Sequence, residues 1–380
     1  LYGRRDQELL ISPSLFADKG ETHMESNQPF RLGIIGCGKV TTQRHIPSIR
    51  SLGHSALVVW ALADTIPGIA EQAAKIHNVK HAFDDYQQLL ALEEIDAVSI
   101  CTPTFTHAKI AIDALRAGKH VYLEKPAAMN EAEMREIVTV ARDSGKVFIV
   151  GSNGLLQEQM GVCKRMIDNG EIGEVYNVSI TRALTRNAND DSRTTRGGDG
   201  ISMESASHNV EWALYFLGDP VPVSVTGIGY YKYDNLSKPL NQRDTEEVDD
   251  CVLALIQFNN GSSFHYKAMR SAIAPSEYEV NIQGDAGLIK YDVHKCYRDK
   301  SDDCLQIFTR HPEGHMVVSK PQIKCGRTHA AMYEHFIACM LEDKQSAMSN
   351  GDRSIVVMNI LDALRESMRC NGKQMIIHER

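Results

Sequence analysis

One junction constrains this 380-residue chain more than any other. The apolar run Leu32 to Ile35 breaks into Gly36-Cys37-Gly38 and continues as a segment able to form a helix. A short apolar run bounded by glycine reads as a strand buried on both faces, as in a parallel sheet. Gly36 permits the tight turn that must follow, and Gly38 leaves no side chain between the backbone and an approaching phosphate. The next helix, entered through Lys39 and Val40, points its first N–H groups at that phosphate. The third position of the pattern, ordinarily Gly or Ala, is Thr41. It is expected to loosen helix–strand packing more than phosphate approach.

A lone G-x-G also fits an ordinary turn, and the next unit decides between the readings. Ala56 to Ala63 reads as a second buried strand ending at Asp64. That acid stands about 20 residues beyond the glycines, where a carboxylate meets the ribose hydroxyls of a dinucleotide. Thr65 and Ile66 follow it, with no arginine to hold a 2′-phosphate, so NAD is favoured over NADP. The competing reading, in which Asp64 only caps a helix starting near Pro67, is the weaker one.

The length allows two domains with separate cores. A formal charge of −8 argues against a nucleic-acid partner, and no apolar run approaches the ~20 residues of a membrane span. Nine scattered cysteines without a C-x-x-C pair fit reduced thiols in a cytoplasmic protein better than disulfides or zinc. Residues 1–30 are polar and mixed, read as a leader or disordered tail, with Met24 a candidate native start.

From 31 to 150, strand-like and helix-like segments alternate: helix Ile69 to His77, helix Asp85 to Leu92, strand Ala97 to Cys101, helix Thr106 to Ala117, strand His120 to Leu123, helix Glu131 to Ser144, strand Val147 to Val150. This is the pattern of an α/β Rossmann domain, a doubly wound parallel sheet. From 151 to 380 the rhythm changes to consecutive strand-like stretches with a few helices, including one from about Ser205 to Phe216. That predicts an α+β domain with a mostly antiparallel sheet.

Three further stretches carry chemistry. Thr102, Pro103 and His107 follow the strand ending at Cys101, at the carboxyl end where doubly wound sheets bind ligands. Glu124-Lys125-Pro126 follows the next strand; the lysine can project into the same crevice and polarise a substrate oxygen. After the run Gly197-Gly198-Asp199-Gly200 come Glu204 and His208, four apart and so on one helical face. A carboxylate beside an imidazole orients it as a general base, although such pairs are also common surface ion pairs.

Together, G-I-I-G-C-G, Asp64, C-T-P with His107, E-K-P, and the glycine-rich loop with acid-x-x-x-His resemble the glucose-fructose oxidoreductase/inositol dehydrogenase (Gfo/Idh/MocA) family. The resemblance spans residues 31–380. It implies a Rossmann domain, an open sheet used for homo-oligomer contacts (dimer or tetramer), and a cis peptide before Pro126. It also implies that Lys125 and His208 flank the nicotinamide and substrate, with Glu204 orienting the base. The cofactor set is then Gly36, Gly38, Lys39, Val40, Asp64, Thr102, Pro103, His107, Glu124 and Lys125. The substrate set is Lys125, Asn153, Arg182, Glu204 and His208, and no metal site is expected.

Glu204 and Glu211 stand where that family usually has Asp, and Gly151 to Leu156 lacks the arginines often found there. Arg182, Arg186, Arg193 and Arg196 crowd the preceding loop and can reach an anionic sugar. The leading expectation is an NAD-dependent dehydrogenase or reductase of a secondary alcohol on a sugar or cyclitol. The alternatives are an NAD-dependent glycoside hydrolase or lyase working through transient oxidation, and a non-catalytic dinucleotide and sugar sensor. His329 and His335 carry no partner motif and read as packing or surface residues.

Overall fold

The computed structural model describes residues 28–53, 56–185, 200–231, 249–272, 274–298, 301, 303–323 and 328–378. The expected leader up to residue 27, Arg186, Arg193, Arg196 and Gly197 to Asp199 lie outside them.

Six parallel strands build the first sheet: β1 (Phe30–Ile35), β2 (Leu57–Ala63), β3 (His81–Phe83), β4 (Ala97–Ile100), β5 (His120–Leu123) and β6 (Phe148–Val150), in the order β3-β2-β1-β4-β5-β6. Helices α1 (Ile46–Ser51), α2 (Ile69–Ile76), α3 (Tyr86–Leu90), α4 (His107–Arg116) and α5 (Glu131–Ser144) lie between them. Strand order reverses between β1 and β4, which opens a crevice above their carboxyl ends. The interior strands are mostly apolar because both faces are covered; β4 is buried at every residue. β3 escapes the sequence reading because it is a three-residue edge strand, half-buried along its length. The strand before Glu124-Lys125-Pro126 is therefore the fifth.

Thr41 does not simply loosen the first helix. Its buried hydroxyl donates to the Gly36 carbonyl at 2.6 Å, and Thr41–His45 forms a π turn that runs into α1. The wider turn accommodates a side chain where the usual fingerprint has little or none.

Beyond α6 (Glu158–Asp168) the chain enters a nine-stranded sheet. Its strands are β7 (Val175–Thr185), β8 (Pro222–Tyr230), β9 (Cys251–Phe258), β10 (Ser263–Ala272), β11 (Glu277–Gly284), β12 (Gly287–Asp292), β13 (Leu305–Arg310), β14 (Met316–Ser319) and β15 (Met375–Ile376). The order is β14-β13-β12-β11-β7-β10-β9-β8-β15, antiparallel except for β7 with β10. The intervening helices are α7 (Ile201–Glu204), α8 (Ala206–Leu217), α9 (Val293–Arg298), α10 (Thr328–Glu342) and α11 (Gly351–Arg369). β9 shows why such strands alternate in sequence: Val252 and Ile256 face a core shared with Val210, Leu361 and Leu364, while Leu253 and Leu255 are exposed.

Packing does not follow chain order. α10 returns to the first sheet, and Tyr333 and Phe336 join Leu32, Ile34, Tyr122 and Ile149 in one core. Part of the stretch assigned to the second half thus covers a face of the first. Among the described residues, no helix is long and apolar enough to cross a membrane.

Candidate active site

A cavity of about 700 Å³ opens at the carboxyl ends of β1, β2 and β4. Gly36, Gly38, Asp64, Thr102 and Pro103, all expected from sequence, line it together. Gly36 adopts φ +94°, and a Cβ there would lie 2.7 Å from the Cys101 carbonyl oxygen, so only glycine lets the two loops meet. At Gly38 an added Cβ would meet nothing within 4 Å: it would project into open space. Asp64 accepts from the Cys37 N–H at 2.8 Å and the Ile66 N–H at 2.9 Å, which pins its carboxylate beside the glycine loop.

Sequence reasoning missed part of the lining: Tyr86, Phe105 and Lys109. Phe105 and Ile66 are more than half exposed, large apolar side chains left bare at the rim. Lys39 and Val40 are exposed at the helix start and do not line the cavity. His107 also departs from its expected place. It is buried, with Nδ1 2.8 Å from the Pro126 carbonyl and Nε2 2.8 Å from the Thr102 carbonyl, so the ring bridges the loops after β4 and β5 from beneath.

Behind the lysine, the expected cofactor residue Glu124 is turned inward. One carboxylate oxygen accepts from the Lys125 N–H at 3.1 Å, and the other lies 3.2 Å from Nε2 of buried His45. Burial pushes the Glu124 pKa up, but His45 and the nearby charges of Lys125 and His329 outweigh it and hold the carboxyl at about 2. His45 is raised well above 6.5: burial opposes its charge, and Cys101, Tyr333 and Glu124 overcome that. Its Nδ1 lies 2.8 Å from the Tyr333 hydroxyl, which also lies 2.7 Å from Ser99 Oγ. His329 packs edge-on against His45 at 5.2 Å, so a histidine read from sequence as packing or surface sits beside Glu124. Its partners come from the loop after β5 and the π turn before α1, far away in the chain.

Lys125 follows β5, and its bond to Pro126 is cis, as the resemblance implies. Its Nζ donates to the Glu204 carbonyl oxygen at 3.2 Å, which joins the first sheet to the α7–α8 junction. Lys125 and His208 line one small void together. His208 is held well below the usual imidazole range, first by burial, then by the cations Lys125 and Arg182, with Glu124 opposing. Its Nδ1 is buried with no hydrogen-bond partner.

The Glu204 carboxylate has a partner that the sequence did not suggest. The chain breaks at Ser205 into two helices, and the Glu204 carboxylate is ion-paired with buried Arg270 of β10. Arg182 reaches Ser205 Oγ at 2.8 Å and lies over the Tyr278 ring at 5.3 Å. Asn153 is buried and accepts from the Tyr122 hydroxyl at 3.0 Å. Glu211, one turn after His208, is buried and accepts from the Ser152 hydroxyl.

Two family models match this chain. The GFO/IDH/MocA oxidoreductase family model, with an NAD-binding Rossmann fold, covers residues 30–152; the GFO/IDH/MocA C-terminal domain covers 162–290. The D-glucoside 3-dehydrogenase of Escherichia coli (strain K12) is 25% identical over 354 residues, 90% of this chain and 96% of that protein. The inositol 2-dehydrogenase of Rhizobium meliloti (strain 1021) is 29% identical over 259 residues, 68% of this chain and 74% of that one. A solved structure of levoglucosan dehydrogenase with NADH and levoglucosan aligns with a TM-score of 0.80 at 22% identity, over 93% of this chain and 100% of the other. That last likeness is one of fold.

Proposed function

We propose, because this chain belongs to the GFO/IDH/MocA oxidoreductase family, that it transfers a hydride between NAD and a secondary alcohol or ketone of a sugar, sugar derivative or cyclitol. The observation that carries the reading is that Lys125 and His208 line one void, one strand along from the glycine-lined cavity. Gly36 and Gly38 suit the pyrophosphate, and Asp64 suits the ribose hydroxyls. The carboxylate of Asp64, followed by Thr65 and Ile66, favours NAD over the 2′-phosphate of NADP. Ile66 and Phe105 offer apolar surface for the adenine.

Bound NAD supplies the hydride acceptor. The chain's residues supply the rest. The Lys125 ammonium holds the substrate oxygen and favours its developing negative charge. Because burial and nearby cations keep His208 neutral, its imidazole is ready to accept the hydroxyl proton. Glu204 acts through its carbonyl on Lys125 and its ion pair with Arg270, which fixes the helix junction under the substrate. Arg182 and Asn153 stand nearby as specificity residues. The bare apolar face bearing Ile228, Leu253 and Leu255 supports self-association as a dimer or tetramer, measurable by sedimentation.

The test is absorbance of the reduced cofactor with NAD or NADP and a panel of neutral and acidic sugars and cyclitols. NADH is expected with one compound class, and NADP is expected to react more slowly. Measurable NAD binding with no reduced cofactor from any compound would overturn the reading.

A further inference from the structure

Arg182 lies on β7, and its side chain is held in place. Nη1 donates to Ser205 Oγ at 2.8 Å, and the guanidinium lies over the Tyr278 ring at 5.3 Å. Tyr278 is fixed in turn: its ring stacks on Trp212 with centroids 5.7 Å apart and planes 3° apart, and its hydroxyl donates to Asn209 at 2.7 Å. A guanidinium lying on an aromatic face keeps its in-plane N–H groups for another partner. What Arg182 lacks is a counter-charge. Arg31, Arg270, Arg353 and Arg365, which are also wholly or partly buried, pair with the carboxylates of Glu94, Glu204, Asp219 and Asp362. Among the described residues no carboxylate pairs with Arg182, and its side-chain hydrogen bond goes to a neutral hydroxyl. Taking a charge out of water without a paired charge is costly, so a half-buried arginine in this state is short of a partner.

The place of that arginine is as telling as its state. Ser205, which it touches, joins α7 to α8; Glu204 before it gives its carbonyl to Lys125 Nζ at 3.2 Å, and His208 follows about one turn later. Lys125, Arg182 and His208 thus gather at one helix junction, and each keeps part of its surface exposed to a ligand.

Resting on the dehydrogenase reading above, we infer that the substrate is a sugar acid, whose carboxylate pairs with Arg182 while the hydroxyl to be oxidised lies between Lys125 and His208. One unpaired guanidinium matches one negative charge, and its planar N–H groups match a carboxylate. A phosphate ester carries up to two charges and calls for more than one free cation. The bound carboxylate also serves the base. Burial first, then Lys125, Arg182 and His329, lower the proton affinity of His208 against the pull of Glu124, and an anion seated on Arg182 cancels that arginine's share.

The test sets D-glucuronate and D-galacturonate against D-glucose, D-galactose and D-glucose 6-phosphate, with the full chain and NAD. One of the acids is expected to show kcat/KM at least about tenfold above its neutral counterpart. Arg182→Met is expected to raise KM for that acid at least about tenfold and to leave the neutral sugar nearly unchanged. The same acids are titrated by calorimetry into native and Arg182→Met protein saturated with NADH, a readout that needs no turnover. A neutral sugar or the phosphate ester reacting as well as the acids overturns the sugar-acid assignment and leaves the dehydrogenase standing. An acid preference that survives in Arg182→Met overturns it too, as does an absence of both binding and turnover with either acid. Acid binding that depends on Arg182, without reduced cofactor, upholds the carboxylate site and sinks the dehydrogenase reading instead. Should Arg182→Met fail to fold, Arg182→Lys serves: it keeps the charge and loses the planar fork, and an unchanged KM for the acid is equally fatal.

Discussion

The two walls of the crevice each carry a histidine, one fully buried and one partly so, and the two are driven in opposite directions. His45, on the dinucleotide side, shares its pocket with the Glu124 carboxylate and is raised well above 6.5. His208, on the sheet side, faces Lys125 and Arg182 and is held well below that value. Burial alone disfavours the charged form of both. What separates them is their polar neighbours: Cys101, then Tyr333 and Glu124, raise His45 against its burial, whereas Lys125 and Arg182 add to the burial that lowers His208. On the proposed reading, the same residue type does structural work in one wall and chemical work in the other.

The comparison breaks most sharply in a pair of substitutions. His208→Gln is expected to lower turnover by about 10²–10⁴-fold while leaving the thermal midpoint nearly unchanged. His45→Gln is expected to do the reverse, destabilising the fold by about 3–5 kcal/mol, because it leaves Glu124 buried without its counter-charge. Turnover assays alongside denaturant unfolding check both, and an exchange of the two phenotypes would refute the division of roles.

A smaller effect sharpens the scaffold side. The Glu124 carboxyl is lowered from its ordinary 4.5 to about 2. Its contribution is therefore present above pH 4.5 and is lost as pH falls from there through 2, by roughly 3 kcal/mol. His45, shifted upward, contributes fully below 6.5 and loses its share only as pH rises through its raised value. Urea unfolding between pH 5 and pH 2.5 should show the acid loss in the native chain and a flatter curve in Glu124→Gln. The smallest effect belongs to Tyr333→Phe, which removes one hydroxyl shared by His45 and Ser99 and should cost about 1 kcal/mol.

Much of the cofactor half was legible because its signals are local. A strand, a tight turn and a helix start must follow one another within a few residues, so Gly36, Gly38 and Asp64 stand in the sequence as they stand around the cavity. The expectation failed at Thr41 and at β3, where a π turn and a three-residue edge strand carry little periodic signal. The substrate half was legible only as residue types. Lys125 and His208 do meet, but Glu204 and His208, four apart, read as one helical face. What the sequence did not suggest is Arg270, which arrives from β10 to pair with the Glu204 carboxylate.

Short-range order thus fixed the kind of fold, the cofactor loop and the identity of the lysine and histidine, because each depends on neighbours in the chain. Which carboxylate faces which cation was decided by packing between distant segments. Electrostatic partners are chosen by distance in space: His45 comes from the turn before α1, Glu124 from the loop after β5, and His329 and Tyr333 from α10. Glu211 carries the same lesson: its spacing from His208 was visible in the sequence, while the shared void and the depth that raises its proton affinity exist only in the folded chain.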